Sequence, residues 1–521
     1  MFTFSQDRGS FLPKESSETE AARAYRAKCK SFHSSYSHLC LTYNKTGKID
    51  LNASYLVKPT DSFFQPGTAI RDMQMAPLVI GATFGRGSMF LGMGRGKTFL
   101  GGYWANYLMR YSPLAKSFPN NKFLVVCPKN VTDEWATQLP KFFQCTVNVF
   151  PQTRDLDADI IVTNYEQLEH LLPYKEEFGG LILDESHRAK NLETKTFAMI
   201  EELVDMNIYY RFVLSGTPMT NKPDDLYPQM SLVDPYAFDF SYEYMKHTYF
   251  KKTWIPKGKF YKESFQHKYE NIIRNRVIAS SIIQTSTSEE VDIVTSYVEC
   301  PQSPDQTRAI EDVAKGYLSI QRRKELIGGT AQATMVELKA AVIKELQVSS
   351  GFLNAGDTII KFPSPKLAKT LEILKAYPDN QFIIWTYFQE TTMRLGRAIE
   401  GSETVFGQTS TAQRKRTIAA FKAGTLRVLI MQIRSGNAGL NLQMCNKNIF
   451  VESDWSPTII DQAVCRTARS GQTEQVHVWF LFTKDTADIM IINVAKGKKK
   501  MTRSILATFV HNRAALAARR S

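Results

Sequence analysis

Residues 89–108 read MFLGMGRGKTFLGGYWANYL. An apolar run enters a turn containing Gly94 and Gly96, Lys97 and Thr98 follow, and an apolar pattern at helical spacing continues from there. A glycine-rich turn at the start of a helix aims backbone N–H groups at phosphate oxygens. In that arrangement Lys97 bridges the terminal phosphates of a nucleotide and the Thr98 hydroxyl holds Mg²⁺. The strict form of this loop has another glycine five residues before Gly96, where Leu91 stands here. Taken alone, the segment also reads as an ordinary turn leading into a helix.

The second half of such a site lies 87 residues beyond Lys97, where an apolar run in LILDESH ends on two adjacent acids, Asp184 and Glu185. A strand ending there presents Asp184 to a phosphate-bound Mg²⁺ and leaves Glu185 to polarise the attacking water. A paired acid at a strand end is otherwise a solvated turn. Following a phosphate loop at this distance, it reads as the acidic partner of that loop, and the pair points to nucleoside triphosphate hydrolysis.

Working outward, KFLVVCP (122–128), ADIIVTNY (158–165), GGLILDES (179–186) and RFVLSGTP (211–218) are short apolar runs bounded by polar or turn residues. Buried parallel strands have this form. Helical patterns lie between them, at 132–143 and 194–206. A second series follows: QFIIWTY (381–387), RVLIMQI (427–433), KNIFVES (447–453) and VHVWFLF (476–482), with a helical pattern at 413–424. Alternation of this kind predicts an α/β fold of doubly wound parallel sheets, in two units joined by a helix-rich segment. The expected divisions are an N-terminal extension or accessory region (1–60), a first lobe (61–235), a helix-rich inter-lobe segment (236–350), a second lobe (351–495) and a basic C-terminal tail (496–521).

A chain of 521 residues with 43% hydrophobic residues can bury more than one core. Its charged fraction of 22% and aromatic fraction of 12% exclude a disordered polyelectrolyte. No stretch approaches the roughly 18 uninterrupted apolar residues of a membrane span, and the N-terminus lacks the basic start and apolar core of a secretion leader. A soluble, intracellular protein is expected. The net charge of +14 favours a polyanionic partner. Eight Lys or Arg and no acid lie between Lys496 and Ser521, a tail suited to tracking phosphates or simply to staying solvated. The seven cysteines form no CxxC pair and are expected to be reduced thiols. Cys29, His33, His38 and Cys40 are zinc-competent, but their spacing matches no common finger.

The motifs together resemble those of superfamily 2 helicase-type ATPases, most closely the SWI/SNF-like branch of double-stranded DNA translocases, from about Gln74 to Ile492. LGMGRGKT resembles that branch's phosphate loop, which also lacks the first glycine. VVCPKNVTDEWATQL is similar to motif Ia, IIVTNYE to motif Ib, DESH to motif II, LSGTPMTNKPDDLY to motif III and FIIWTYFQETTMRL to motif IV. MQIRSGNAGLNLQMCNKNIFVESDWSP resembles motif V and DQAVCRTARSGQ motif VI, whose trailing Gly471-Gln472 favours this branch over DEAD-box or RecQ-like enzymes. Motif V departs from the pattern, which has a second glycine in place of Asn437 or Ala438.

The resemblance implies two RecA-like lobes that bind ATP and Mg²⁺. Catalytic roles fall on Lys97, Asp184, Glu185, Arg466 and Arg469, the last two as arginine fingers. Nucleotide binding falls on Gln74, Gly94, Arg95, Gly96, Lys97, Thr98, Gly436 and Gln462, with Gln74 reading adenine, and the metal on Thr98 and Asp184. Ser215 and Thr217 would couple nucleotide to DNA, or form a core turn. Lys129, Asn130, Asn164, Arg434 and Ser435 are candidate DNA contacts, gripping phosphates without regard to sequence. A monomeric motor on duplex DNA is expected, serving replication, recombination or repair beside other proteins of those processes, compact in the viral or prokaryotic style. A strand-separating or branch-migrating helicase and an ATP-binding clamp without turnover are the alternatives.

Overall fold

The computed structural model describes residues 20–92, 94–112, 122–205, 208–219, 223–238, 241–254, 261–284, 291–313, 315, 335–435, 440–469 and 472–495. The chain divides into two compact units, Met1–Thr287 and Ser288–Ser521.

Unit 1 is built on a seven-stranded sheet of β1 (Arg86–Leu91), β2 (Lys122–Cys127), β3 (Val147–Val149), β4 (Ile160–Asn164), β5 (Phe178–Asp184), β6 (Tyr210–Leu214) and β9 (Ile282–Gln284). Their order is β3-β4-β2-β5-β6-β1-β9 and every pairing is parallel. Every residue of β1, β4 and β5 is buried, as expected for strands covered on both faces. The helices α2 (Asp72–Phe84), α3 (Lys97–Tyr111), α4 (Thr132–Phe142) and α5 (Lys195–Asp205) alternate with the strands. Beyond β6 come α6 (Leu226–Ser231), α7 (Tyr242–Tyr249), a hairpin of β7 (Phe250–Trp254) and β8 (Tyr261–Phe265), and α8 (Glu270–Ala279).

The first 60 residues contribute α1 (Glu20–Thr46), which packs on unit 1. Its buried face carries Cys29, Tyr36, Leu39, Cys40 and Tyr43. The Ser88 N–H of β1 donates to the Tyr36 hydroxyl at 3.0 Å. Asn44 donates to the carbonyls of Ile278 and Ser281 and accepts from the N–H of Ile283, fastening the edge strand β9 to α1. The zinc-competent cluster is spread around this helix: His33 lies 2.7 Å from the buried Asp234, while His38 is exposed. Among the described residues no group of three or more His, Cys, Asp or Glu is placed to hold a metal ion.

Unit 2 carries a six-stranded parallel sheet ordered β10-β17-β16-β13-β15-β14. Its strands are β10 (Ile293–Cys300), β13 (Phe382–Thr386), β14 (Ser402–Val405), β15 (Val428–Gln432), β16 (Lys447–Phe450) and β17 (Val476–Thr483). A hairpin of β11 (Phe352–Ala355) and β12 (Thr358–Lys361) precedes β13. Apolar cores lie on both faces, one around Trp385, Phe450 and Phe480, the other around Ile384, Ile430 and Ile449. The sheet therefore has the sandwiched form predicted for it.

The helix-rich stretch expected at 236–350 contains α7 and α8 and is helical again at 304–313 and Met335–Ser349. It also supplies β7, β8 and β9 to unit 1 and the long edge strand β10 to unit 2. β10 reads IVTSYVEC, with exposed and half-buried positions mixed along it and only Cys300 buried, so it has no continuous apolar run to announce it. Among the described residues no helix is long and apolar enough to cross a membrane. The basic tail, 496–521, lies outside the described residues.

Candidate nucleotide site

The site forms where β1, β6 and β5 end side by side. β6 lies between the other two, so its C-terminal end emerges between the phosphate loop after β1 and the acids after β5. Gly94 and Gly96 have φ of 79° and 77°, in the left-handed region that only glycine enters without strain. They turn the chain sharply into α3, which starts at Lys97, leaving the first N–H groups of the helix open to an anion. Gln74 lies against this loop: it is buried, and a Cβ on Gly96 would collide with its amide. Its Oε1 accepts from the Arg71 N–H at 3.1 Å, closing the first turn of α2. The Arg95 guanidinium donates to Met73 Sδ at 3.1 Å.

Lys97 Nζ donates to Glu185 Oε1 at 3.2 Å, which brings the two halves of the site together. Glu185 has φ 51°, a left-handed conformation that costs a side chain of its size of order 1–3 kcal/mol. His187 Nδ1 lies 3.4 Å from Glu185 Oε2 and 3.3 Å from the Ser215 hydroxyl. The Ser215 hydroxyl accepts from the Thr217 N–H at 3.1 Å, so both proposed coupling residues sit in one hydrogen-bonded turn reaching the acids through His187.

Asp184 is 5% exposed. Its Oδ1 accepts from the Glu185 N–H at 3.0 Å and its Oδ2 from Trp135 Nε1 at 2.9 Å. Burial pushes its carboxyl up to about 6, against the pull of the Lys97 charge. Glu185 is shifted the opposite way, to about 2: burial opposes ionisation, but the Lys97 ammonium and His187 outweigh it. Burial and the Lys97 contact thus push the two neighbouring carboxyls in opposite directions.

Sequence reasoning missed several groups here. Ser186 donates to Gln229 Oε1 at 2.8 Å, and Gln229, fully buried on α6, donates at 2.7 Å to the carbonyls of Pro218 and Asp225. That side chain ties the loop after β5 to the loop after β6. Pairing of Trp135 with Asp184 spans 49 residues and leaves no local pattern to read.

Lys129 and Asn130 occupy an exposed turn after β2. Asn164 is buried, and its side-chain oxygen accepts from the Glu166 N–H at 3.1 Å, capping the turn that follows β4; that oxygen serves the fold. In unit 2, Arg434 Nε donates to the buried Asp454 at 2.7 Å and its guanidinium lies over the Tyr387 ring, though its side chain remains 60% exposed. The Ser435 carbonyl accepts from Arg414 at 3.1 Å. Arg466 is buried, Arg469 is half-buried with its Nε donating to the Cys465 carbonyl at 2.9 Å, and Gln462 is half-buried on the helix Pro457–Val464. Gly436 lies outside the described residues.

A parallel sheet with a glycine turn, a lysine–acid contact and a buried aspartate at neighbouring strand ends defines a P-loop nucleotide-binding α/β protein, here followed by a second parallel-sheet unit. Two family models match the chain: the SNF2-related domain over residues 82–296 and the helicase conserved C-terminal domain over residues 365–471. The chain belongs to the SNF2-related, SWI/SNF-like branch of the superfamily 2 helicase-type ATPases. It is 25% identical over 394 residues to the SWI/SNF-related matrix-associated actin-dependent regulator of chromatin subfamily A-like protein 1 homolog of Caenorhabditis elegans, covering 72% of this chain and 54% of that one. The Drosophila melanogaster protein of that name is 25% identical over 440 residues, covering 78% and 52%. The Uncharacterized ATP-dependent helicase YqhH of Bacillus subtilis is 23% identical over 451 residues, covering 82% and 77%. The chain thus spans about half the length of the first two relatives. Among solved structures, the Sulfolobus solfataricus SWI2/SNF2 ATPase core in complex with dsDNA matches 89% of this chain and 97% of its own, at 22% identity and a TM-score of 0.38.

Proposed function

We propose that this chain hydrolyses ATP and uses the cycle to move along or remodel double-stranded DNA. The observation that carries the reading is the contact of Lys97, from the loop after β1, with Glu185, which follows the buried Asp184 at the end of β5. Glycine-turn N–H groups and Lys97 bind the phosphates, and Gln74, packed against Gly96, reads the adenine. Glu185 orients the attacking water and accepts its proton as the water–phosphorus bond forms and the leaving oxygen departs on ADP. Arg466 and Arg469 of unit 2 supply the positive charge that the transition state demands.

Thr98 and Asp184 would hold Mg²⁺, which supplies charge neutralisation at the phosphates. The residues fit that ion, since Asp184 is a buried carboxylate served by two neutral N–H donors, a setting in which a cation offsets the cost of ionisation. Two protein ligands are the usual number for Mg²⁺ that shares its shell with phosphate and water.

DNA as the partner is supported by the net charge of +14 and by Lys129 and Asn130 on an exposed turn of unit 1. Membership of the SWI/SNF-like branch points the same way. Work in replication, recombination or repair is the cellular setting we assign, as a monomeric motor inside the cell. The test is a steady-state ATPase assay with Mg²⁺ and added duplex. Turnover that is absent with and without DNA would leave only a nucleotide-binding clamp.

A further inference from the structure

The strand β2 ends at Cys127, and the next four residues form a tight turn closed by the Val131 N–H on the Pro128 carbonyl at 2.8 Å. Thr132 Oγ1 donates back to the Lys129 carbonyl at 2.9 Å, and α4 begins there. The Trp135 N–H donates to the Val131 carbonyl at 3.0 Å, so Trp135 stands on the first helical turn after the exposed pair Lys129 and Asn130. Its indole is fully buried and ends on Asp184 Oδ2 at 2.9 Å. It is also held from the side. Gly101 of α3, the helix that begins at Lys97, faces the ring so closely that a Cβ there would lie 2.7 Å from Trp135 Cη2. The indole therefore has little room to move without moving α3, α4 or the carboxylate.

We propose that Trp135 is the positioning residue through which contact at the Lys129–Asn130 turn reaches the carboxylate of Asp184. The proposal rests on the reading of the chain as a DNA-dependent ATPase. Phosphate contact at the turn bears on the start of α4, and a short, hydrogen-bonded turn transmits a shift of that start to the indole. The indole N–H fixes the rotation of the Asp184 carboxylate, whose other oxygen is fixed by the Glu185 N–H. A metal carboxylate needs that kind of support, because the partner behind a ligand sets its orientation and charge. Trp135 touches neither nucleotide nor DNA in this scheme; it acts through Asp184.

The experiment uses the full chain as wild type, as Trp135→Phe, and with the Trp135 indole replaced by benzothiophene, which keeps the bicyclic ring and removes the N–H. Equilibrium binding of a fluorescent non-hydrolysable ATP analogue is titrated with Mg²⁺, with and without duplex DNA, and ATP turnover is measured in parallel. Both variants should bind the Mg²⁺-free analogue as wild type does. Both should need about tenfold more Mg²⁺ for half-maximal tightening, the lower end of the range for loss of a group supporting a metal ligand. The lowering of that Mg²⁺ requirement by duplex in wild type should disappear in both. If the benzothiophene protein folds and keeps wild-type Mg²⁺ dependence and DNA response, Trp135 is core packing and the proposal is wrong. Should Trp135→Phe not fold, the benzothiophene protein decides alone. Absence of DNA-stimulated turnover in wild type would instead overturn the motor reading, and the DNA-free Mg²⁺ titration would still decide whether the indole positions Asp184.

Discussion

Asp184 makes the nucleotide-free protein pH-sensitive in a direction opposite to that of an ordinary paired carboxylate. Its carboxyl titrates at about 6 in the fold because it is buried, against roughly 3.9 in an unfolded chain. A raised acid stabilises the fold fully below the unfolded value, and that contribution is lost as pH rises through the folded value. The gap of about two pH units corresponds to about 3 kcal/mol in all, of which about 2 kcal/mol falls between pH 4.5 and 7.5. The Glu185 charge adds to the raising of Asp184, and its own shift runs the other way. Its carboxyl is held at about 2, so its contribution is complete above the unfolded value of roughly 4.3 and is lost only as pH falls toward 2. The perturbation is Asp184→Asn, which removes the titration. An amide facing two N–H donors adds a fixed penalty, so the informative quantity is how the difference between the proteins changes with pH. Thermal unfolding in the presence of a chelator reads it. From pH 4.5 to 7.5 the wild type should fall relative to Asp184→Asn by about 5 °C, taking 2–4 °C per kcal/mol for a domain of this size. A difference that is flat in pH, or that moves in the wild type's favour, would refute the placing of Asp184 as a buried and costly carboxylate.

Other expectations follow from the same geometry. Glu185→Gln keeps the side chain's shape and removes the base, so turnover should fall at least about 100-fold while equilibrium binding of ATP persists; near-normal turnover would remove Glu185 from the role. Lys366 and Asp488 form a buried pair at 2.6 Å in unit 2, with side chains 1% and 9% exposed. Lys366→Met removes the aspartate's counter-charge, leaving the Thr483 N–H and the Ser349 hydroxyl as neutral donors, and should cost about 3–5 kcal/mol in denaturant unfolding; a loss below about 1 kcal/mol would show that those donors suffice. Deleting 496–521 should flatten the salt dependence of DNA binding by roughly 0.9 in log–log slope for each phosphate that the tail neutralises, whereas an unchanged slope would make the tail a bystander.

The sequence made the sheet interiors legible and the edges obscure. KFLVVC, IIVTN and GGLILD are buried on both faces, so their apolar character is continuous and their strands, Lys122–Cys127, Ile160–Asn164 and Phe178–Asp184, fall inside or within a residue of the runs that announce them. Edge strands lack that signal. β14 reads SETV, β9 spans three residues, and β10 is exposed or half-buried at every position but Cys300. Helix α1 escapes notice because its buried face is made of cysteine, tyrosine and leucine diluted by serine and histidine. In the site, Lys97, Asp184 and Glu185 are readable because each sits beside its own strand end. Gln229 is not, and Trp135 is readable only as the tryptophan of the motif Ia resemblance, since their partners, Ser186 and Asp184, are brought to them only by the crossing of the chain.

The central claim is a motor whose ATP turnover is switched by duplex DNA, with catalytic groups carried on both units. The most direct measurement is the ATPase rate against added duplex, single-stranded DNA and RNA, for wild type and Arg469→Ala. Duplex should stimulate the wild type most, and Arg469→Ala should lose the stimulated rate while binding duplex nearly as well, because its proposed target is nucleotide phosphate. Stronger stimulation by single strands would replace the translocase with a strand-separating helicase, and stronger stimulation by RNA would contradict the DNA assignment itself.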